Sequence, residues 1–422
     1  MNTSLSLLAT LLFLHPPLSQ DGGPVPQSKP KSHATQEVAT TPVLRVASFN
    51  VQNLFDNSDD PYHSDEGTSP KSVFQILRLA KTMDALDADI LALQEVENLG
   101  ILRRLNVVLK KPYPYVELIE GNDPRGIDVA LMSRFPIVRT MSHRHRQLEG
   151  RYRVSRDLVV FELDTGKGGR LLVSPVHLKS KRSSKGDPGS NLKRGAEARG
   201  LLVLLDEIRA RSWKAPFITL GDFNDFPDSK ALSPLFERLQ DGLKRVPAEA
   251  NYSYIFDGKK QRIDHLLYDG DLKVLGARFL HDHDLPSDHH PFVVRFSWGA
   301  PLLRAQGPKH RNRFASLHRP RIEATDLRRL RTQLLQEVEI EGTLVRIDKT
   351  RNGGHKQLRF SEDPKASVTV FVNRHDSAKF SHLEKFVGKK LLIKGPVFRY
   401  RGQLEILLQD PEQLSSEQLR KE

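Results

Sequence analysis

Thr219-Leu220-Gly221-Asp222-Phe223-Asn224-Asp225-Phe226 ends the apolar run 217–220 with a carboxylate, an amide and a second carboxylate. A run this short fits a buried strand, and the polar residues behind it fit a strand end that carries chemistry. The same arrangement recurs outward in both directions. Residues 43–49 lead to Asn50 and Asn53, residues 90–93 to Gln94, Glu95 and Glu97, and residues 171–176 to His177 and Lys179. Asp128 precedes a run at 129–132, Asp264 and His265 open the run 266–268, and Ser287-Asp288-His289-His290 precedes the run 292–296. Helical patterns at 73–86 and 197–209 alternate with these strands, which predicts an α/β layered fold.

One acid at a strand end is ordinarily a solvated loop residue or a helix cap. Amides, several carboxylates and two histidines behind successive strands, taken together, mark a site. Oxygen-rich donors without thiolate suit a hard cation, Mg²⁺ or Mn²⁺, which binds through one or two carboxylates and substrate phosphate. Zinc fits less well, because the chain has no cysteine and no His-Glu-x-x-His pattern. These residue types predict metal-dependent cleavage of a phosphodiester, with a cation neutralising charge and a histidine moving a proton.

Six segments, 47–53 (AlaSerPheAsnValGlnAsn), 93–97 (LeuGlnGluValGlu), 177–180 (HisLeuLysSer), 221–225 (GlyAspPheAsnAsp), 262–265 (ArgIleAspHis) and 287–291 (SerAspHisHisPro), occur in order. This order resembles that of the endonuclease/exonuclease/phosphatase superfamily, and the resemblance covers residues 43–298. It implies an α/β (α+β) fold, a four-layer α/β/β/α sandwich of two mainly antiparallel sheets with the site at one edge. By the same resemblance Glu95, Asn50 and Asp288 are metal-site residues, Asn50 and Asn224 also touch phosphate, and Asp222 with Asn224 positions the attacking water. His289 is the catalytic histidine oriented by Asp264, and His177 is a second histidine with Asp128 as its acidic partner. Arg156 and Lys179 fall at phosphate-binding positions. The function implied is a nuclease hydrolysing DNA, with RNA a further polymer candidate. The alternatives are a phosphodiesterase or phosphatase of lipid or inositol phosphate head groups and, from another class, a non-catalytic nucleic-acid-binding protein.

Other eligible residues read as structural. His143 and His145 alternate with Arg144 and Arg146 and belong to a solvated strand or loop. His281 and His283 neighbour the site, His290 packs beside His289, and Asp225 is a turn or supporting acid.

The 422 residues suffice for at least two domains, and the net charge of +13 points to acidic partners, a membrane surface as well as a nucleic acid or other polyanion. The Arg-rich linker and the OB-like module beyond residue 298 tilt the expected partner toward nucleic acid, DNA first. Residues 5–14 form an apolar run of signal-peptide length, so 1–20 read as a signal peptide and 21–42 as a disordered leader. A secreted or periplasmic (cell-envelope) monomer without stable membrane insertion is expected. Residues 299–331 form a basic linker that is either simply solvated or a phosphate-contacting strip. Runs at 337–347, 357–360, 367–372, 390–394 and 404–408, with a helical piece at 377–386, follow the order of an OB-fold, so 332–412 resemble a small all-β OB-like barrel before a tail at 413–422. In that barrel Phe371 and Phe398 read as core residues, and Tyr400 reads as an exposed platform for a base.

Overall fold

The computed structural model describes residues 42–416 except 66, 151, 183, 212–213, 282–284, 308–318 and 350–353. The expected signal peptide, most of the leader and the end of the tail lie outside the described residues, as does His283.

Residues 43–298 form two six-stranded sheets. The first runs in the order β13 (Lys273–Phe279), β14 (Phe292–Ser297), β1 (Val43–Leu54), β2 (Ile90–Val96), β4 (Asp128–Ser133), β3 (Tyr115–Leu118). The second runs β5 (Ile137–Met141), β6 (Val160–Gly166), β7 (Gly169–His177), β8 (Phe217–Asp222), β12 (Asp264–Asp269), β9 (Gln240–Asp241). The pairs β1/β2 and β7/β8 are parallel, and their neighbours pair antiparallel.

The central strands are apolar on both faces because each face meets a separate core. On β1, Leu44 and Val46 point into the cluster between the sheets, where Phe161, Leu220 and Phe296 meet them. Ala47, Phe49 and Val51 point the other way, toward α1 (Val73–Leu86) and α2 (Leu99–Asn106). The helices α3 (Asn191–Ala210) and α4 (Ser233–Arg238) cover the second sheet. This is the four-layer sandwich expected. Each fully buried side chain of this kind contributes about 1.5–3 kcal/mol, and truncating Phe49 to alanine costs about 3–5 kcal/mol.

Helix α1 shows how local chemistry fixes an element. Ser72 and Gln75 form a reciprocal capping box, and Asp87 in the left-handed conformation ends the helix. Between them Ile76, Leu79, Ala80, Met83 and Leu86 repeat at helical spacing on the buried face.

The C-terminal part has a four-stranded sheet, β15 (Arg321–Glu323), β16 (Glu337–Thr343), β20 (Lys390–Pro396), β23 (Leu414–Ser416), and a five-stranded one. The second is ordered β17 (Arg346–Lys349), β18 (Lys356–Arg359), β19 (Thr369–Val372), β22 (Gln403–Leu407), β21 (Phe398–Tyr400). One core, including Ile340, Val370, Ile393 and Ile406, fills the space between them. The run 337–347 is divided between the two sheets, and the helical piece is two 3-10 segments, Arg374–Phe380 and Leu383–Phe386. This unit begins before residue 332, since β15 pairs with β16 and Leu330 of α5 (Leu327–Arg331) is buried in its core.

The C-terminal unit docks on the N-terminal half of α1. Arg78 is ion-paired with Asp410 and reaches Glu412 (3.3 Å). Gln75 Nε2 donates to Gln409 Oε1 (2.8 Å), and the Val73 amide donates to Glu337 Oε1 (3.0 Å). Farther along, Arg374 meets Asp257 (3.4 Å), at the tip of the hairpin β10 (Tyr254–Phe256) and β11 (Lys259–Gln261).

Candidate active site

Strand register brings three predicted residues to one level. His177 at the end of β7 stands opposite Asp222 at the end of β8, and Asp222 stands opposite Asp264 at the start of β12. From the other sheet, Asn50 Nδ2 donates to Glu95 Oε1 (3.3 Å) and to Asp222 Oδ2 (3.1 Å), joining the two sheets at this edge. His289, just before β14, has Nδ1 2.7 Å from Asp264 Oδ2 and Nε2 3.7 Å from Asp222 Oδ2. His177 Nε2 lies 3.5 Å from the same Asp222 oxygen and 4.0 Å from Glu95 Oε1. A single carboxylate oxygen therefore faces one amide and two imidazoles.

Irregular backbone aims these groups. Strand β2 shifts register against β4 between Gln94 and Val96, and Glu95 has φ +63°. Such a bulge re-aims a side chain that regular pleating would bury. Asn53 and Asn224 also have positive φ. Their backbone N–H groups donate to Glu95 Oε2 (2.9 Å) and Asp222 Oδ1 (2.8 Å), so both turns close on site carboxylates. Gly221 has φ +142°, and a Cβ there would lie 2.1 Å from the Val176 carbonyl oxygen. Glycine alone lets β8 approach β7 closely enough to set Asp222 beside His177.

The two histidines are driven in opposite directions. Burial disfavours charge on His289, but Asp264, Asp222 and the hydrogen bond His289 donates to Asp264 outweigh it and raise its pKa well above the ordinary value. Burial pushes His177 well below that value, and Arg156 and His289 reinforce the shift. Burial raises Asp222, against the pull of His289. One imidazolium and one neutral imidazole thus flank a single carboxyl group, an arrangement that separates acid from base.

Two expectations are corrected. Asp128 is not hydrogen-bonded to His177: its Oδ1 accepts from the Gly121 amide (2.7 Å), and His177 Nδ1 is buried without a hydrogen-bond partner among the described residues. Burial raises the Asp128 carboxyl to about 7. Arg156 does lie behind His177, but it is committed to protein partners rather than open to phosphate. It pairs with Asp123 (2.8 Å) and donates to the Leu178 carbonyl (3.1 Å). Asp123 and Gly121 belong to the loop before β4, whose path no local pattern announces.

The remaining predicted residues are spread around this centre. Asn224 Nδ2 donates to the Leu178 carbonyl (3.0 Å). Lys179 is half-buried, and burial, Arg156 and Lys193 lower its pKa. Asp288 is half-buried, and it and Glu95 both act electrostatically on Lys71 and Tyr254. Tyr400 is exposed and Phe398 buried, as expected, whereas Phe371 is half-buried against the His355 ring (5.4 Å). Tyr400 lines a cavity of about 630 Å³ between the two parts of the chain, together with Phe55, Asp59 and Arg399. Asp225 is a supporting acid that pairs with Arg194 (2.8 Å) and Lys181 (3.0 Å).

The donor set fits a hard divalent cation. Asp222, Asp264 and His289 offer ligand atoms within 4.8 Å of one another, but both His289 nitrogens already face carboxylates, so this group reads better as a proton relay. Glu95, Asn50 and Asp288 supply oxygen donors of the kind Mg²⁺ or Mn²⁺ prefers, and they are the residues that would hold it.

Sequence reading missed three groups. Ser287 Oγ donates to the Asn50 carbonyl (2.7 Å) and accepts from the His289 amide (3.1 Å), and its place in the Ser-Asp-His-His segment could have flagged it. The Tyr254 ring lies 5.1 Å from that of His289, and burial, Asp288, Asp222 and Glu95 push its phenol up to about 12, so it remains a donor. Lys71 is buried and donates to the Pro286 carbonyl (3.0 Å). Nothing in the sequence sets Tyr254 or Lys71 apart.

Several solved structures are similar to this chain over part of its length. A truncated Caenorhabditis elegans TDP2 is 20% identical with a TM-score of 0.45, and the match covers 61% of this chain and 98% of that one. The human Nocturnin catalytic domain with bound sulfate is 22% identical with a TM-score of 0.46, covering 61% and 95%. A family protein from Bacteroides thetaiotaomicron is 18% identical with a TM-score of 0.44, covering 61% and 98%. No curated protein sequence matches significantly. The family model described as Endonuclease/Exonuclease/phosphatase family matches residues 47–289, a span that runs from the strand bearing Asn50 to His289 itself. With that match over more than half its length, the chain belongs to the endonuclease/exonuclease/phosphatase family.

Proposed function

We propose that the protein is a divalent-metal-dependent nuclease that hydrolyses DNA by direct attack of water, without a covalent intermediate. Its family is one of hydrolases acting on phosphodiesters and phosphate esters, generally dependent on a divalent metal. The observation that carries the reading is the Asp264–His289–Asp222 relay opposite a neutral His177, with Asn50 and Glu95 beside it. A cation held by Glu95, Asn50 and Asp288 would neutralise the developing negative charge.

The chain's own residues divide the remaining work. Asp222, kept basic by burial, accepts the proton of the attacking water, and Asn224 holds the turn that positions it. His289, charged and fixed by Asp264, gives its Nε2 proton to the leaving ester oxygen as the P–O bond to it breaks. Acid–base assistance of this kind is worth about 10²–10⁴-fold. Net basic charge suits a head group as well as a polymer, and the choice of DNA is supported by the Arg-rich segment after Trp298 and the OB-like C-terminal unit.

The deciding experiment follows end-labelled DNA, end-labelled RNA and sphingomyelin with Mg²⁺, Mn²⁺, Ca²⁺ or EDTA, beside Glu95→Ala. Metal-dependent DNA cleavage lost in that variant is the expected result. Sphingomyelin hydrolysis with intact DNA would move the function to the head-group branch.

A further inference from the structure

We infer that the C-terminal unit is a working part of the hydrolytic site, because Lys379 positions the loop that carries Asp288 and His289. The inference rests on phosphoester hydrolysis at this site and not on DNA being the substrate.

The loop 285–289 has little regular structure of its own and is held by side chains reaching in from outside. Lys71 Nζ donates to the Pro286 carbonyl (3.0 Å), and Lys379 Nζ donates to the adjacent Leu285 carbonyl (3.4 Å). Ser287 then ties the loop to Asn50 and to the His289 amide. Two lysines, one from each part of the chain, therefore grip consecutive carbonyls directly before Ser287-Asp288-His289.

Lys379 is itself firmly placed. It pairs with Asp376 (3.0 Å) and donates to the Gln409 carbonyl (3.4 Å), and its side chain is 17% exposed. Gln409 receives a hydrogen bond from Gln75 on α1, so the same contact docks the two parts. Asn373, Asp376 and Lys379 wall one side of a cavity of about 250 Å³, and Ser287, Asp288 and Ile255 line the other. A carbonyl released from Lys379 leaves Asp288 and His289 on a loop held by Lys71 and Ser287 alone. A displacement of about 1 Å at reacting groups can cost on the order of 10²-fold in rate.

The test uses the full chain with bis(p-nitrophenyl) phosphate, a small diester without a polymer backbone. Lys379→Met keeps the length of the side chain and removes the ammonium. It is expected to lower kcat by about 10- to 100-fold while KM changes little, and to broaden or shift the His289 ring resonances in the metal-free protein. The double variant Lys379→Met with Asp376→Asn also removes the charge of the carboxylate that pairs with Lys379 and is expected to show the same fall. Lys379→Arg is expected to restore most of the rate, and Glu412→Gln, at the rim of the interface, to leave it unchanged.

Unchanged kcat and unchanged His289 resonances in the folded double variant would overturn the inference. If the small diester is not turned over even by the parent protein, the resonances decide alone. DNA cleavage by the parent, assayed separately, reports on the nuclease reading and leaves this test independent of it.

Discussion

Replacing Gly221 by alanine tests whether the close approach of β7 and β8 builds the site. The added Cβ would lie 2.1 Å from the Val176 carbonyl oxygen and 3.0 Å from Gln94 Nε2, and real side chains essentially never come closer than 3.0 Å. The obstacle is backbone in a strand interior, so the strands must separate by about 1 Å. Alanine also resists the φ of +142°. Overpacking costs about 1–3 kcal/mol, and a backbone conformation of this kind costs about 1–3 kcal/mol more. At about 2–4 °C per kcal/mol for a domain of this size, the melting temperature should fall by about 4–24 °C. Activity should suffer beyond that loss, because His177 and Asp222 are the next residues on the same two strands. A separation of about 1 Å predicts up to about 10²-fold lower kcat even well below the melting transition. Circular dichroism melts and diester kinetics at 20 °C on Gly221→Ala measure the two effects separately. A variant that melts within 2 °C of the parent and turns over normally would refute the geometry.

Two more predictions concern charge. Asp264→Asn removes the anion that holds His289 protonated, so the alkaline limb of the pH–rate profile should move to lower pH and kcat should fall by about 10²–10⁴-fold; a limb that stays in place argues that another group donates the proton. Glu405, buried on β22, is raised to about 7, chiefly by burial and against the pull of Arg359. Its folded form holds a proton more tightly than the unfolded chain, so the stability it contributes is complete below about pH 4.5 and is lost as pH rises through about 7. Glu405→Gln should therefore melt like the parent at pH 4 and be more stable by on the order of 1–3 kcal/mol at pH 8, whereas a difference independent of pH excludes titration as the cause.

What the sequence discloses and conceals follows from how each feature is encoded. A polar residue behind an apolar run marks a strand end, which is why Asn50, Glu95, His177, Asp222, Asp264 and His289 could be named before their distances were known. Their convergence depends on strand order, with β8 between β7 and β12, and no single run encodes that order. Asp128 and Arg156 sit in similar patterns but are claimed by Gly121 and Asp123 from an intervening loop. The run 337–347 keeps alternating polar and apolar residues up to Leu344, so periodicity reads it as one strand where the fold uses two, parted at 344–345. Lys71, Tyr254 and Lys379 act through carbonyls or ring faces, which carry no sequence signal.

The basic segment after Trp298 shows why a count of charges is a poor measure of affinity for a polyanion. Arg304 is paired with Asp89, Arg319 with Glu337 (3.3 Å) and Arg321 with Glu339 (3.3 Å), so these guanidiniums are partly neutralised by the fold. Arg328, Arg329 and Arg331 on α5 are exposed. If DNA is the substrate, the exposed set should carry the phosphate contacts. Each contact adds about 0.9 to the slope of log affinity against log salt, so Arg328→Gln with Arg329→Gln should lower that slope by up to about 1.8. Arg319→Gln with Arg321→Gln should lower it by well under 1, since counterions released there are replaced in advance by Glu337 and Glu339. Binding of a catalytically silent Glu95→Ala protein to duplex DNA, titrated from 50 to 300 mM salt, separates the two pairs. Equal losses of slope would show that pairing within the fold does not silence an arginine toward phosphate, and the whole segment would then have to be counted as contact surface.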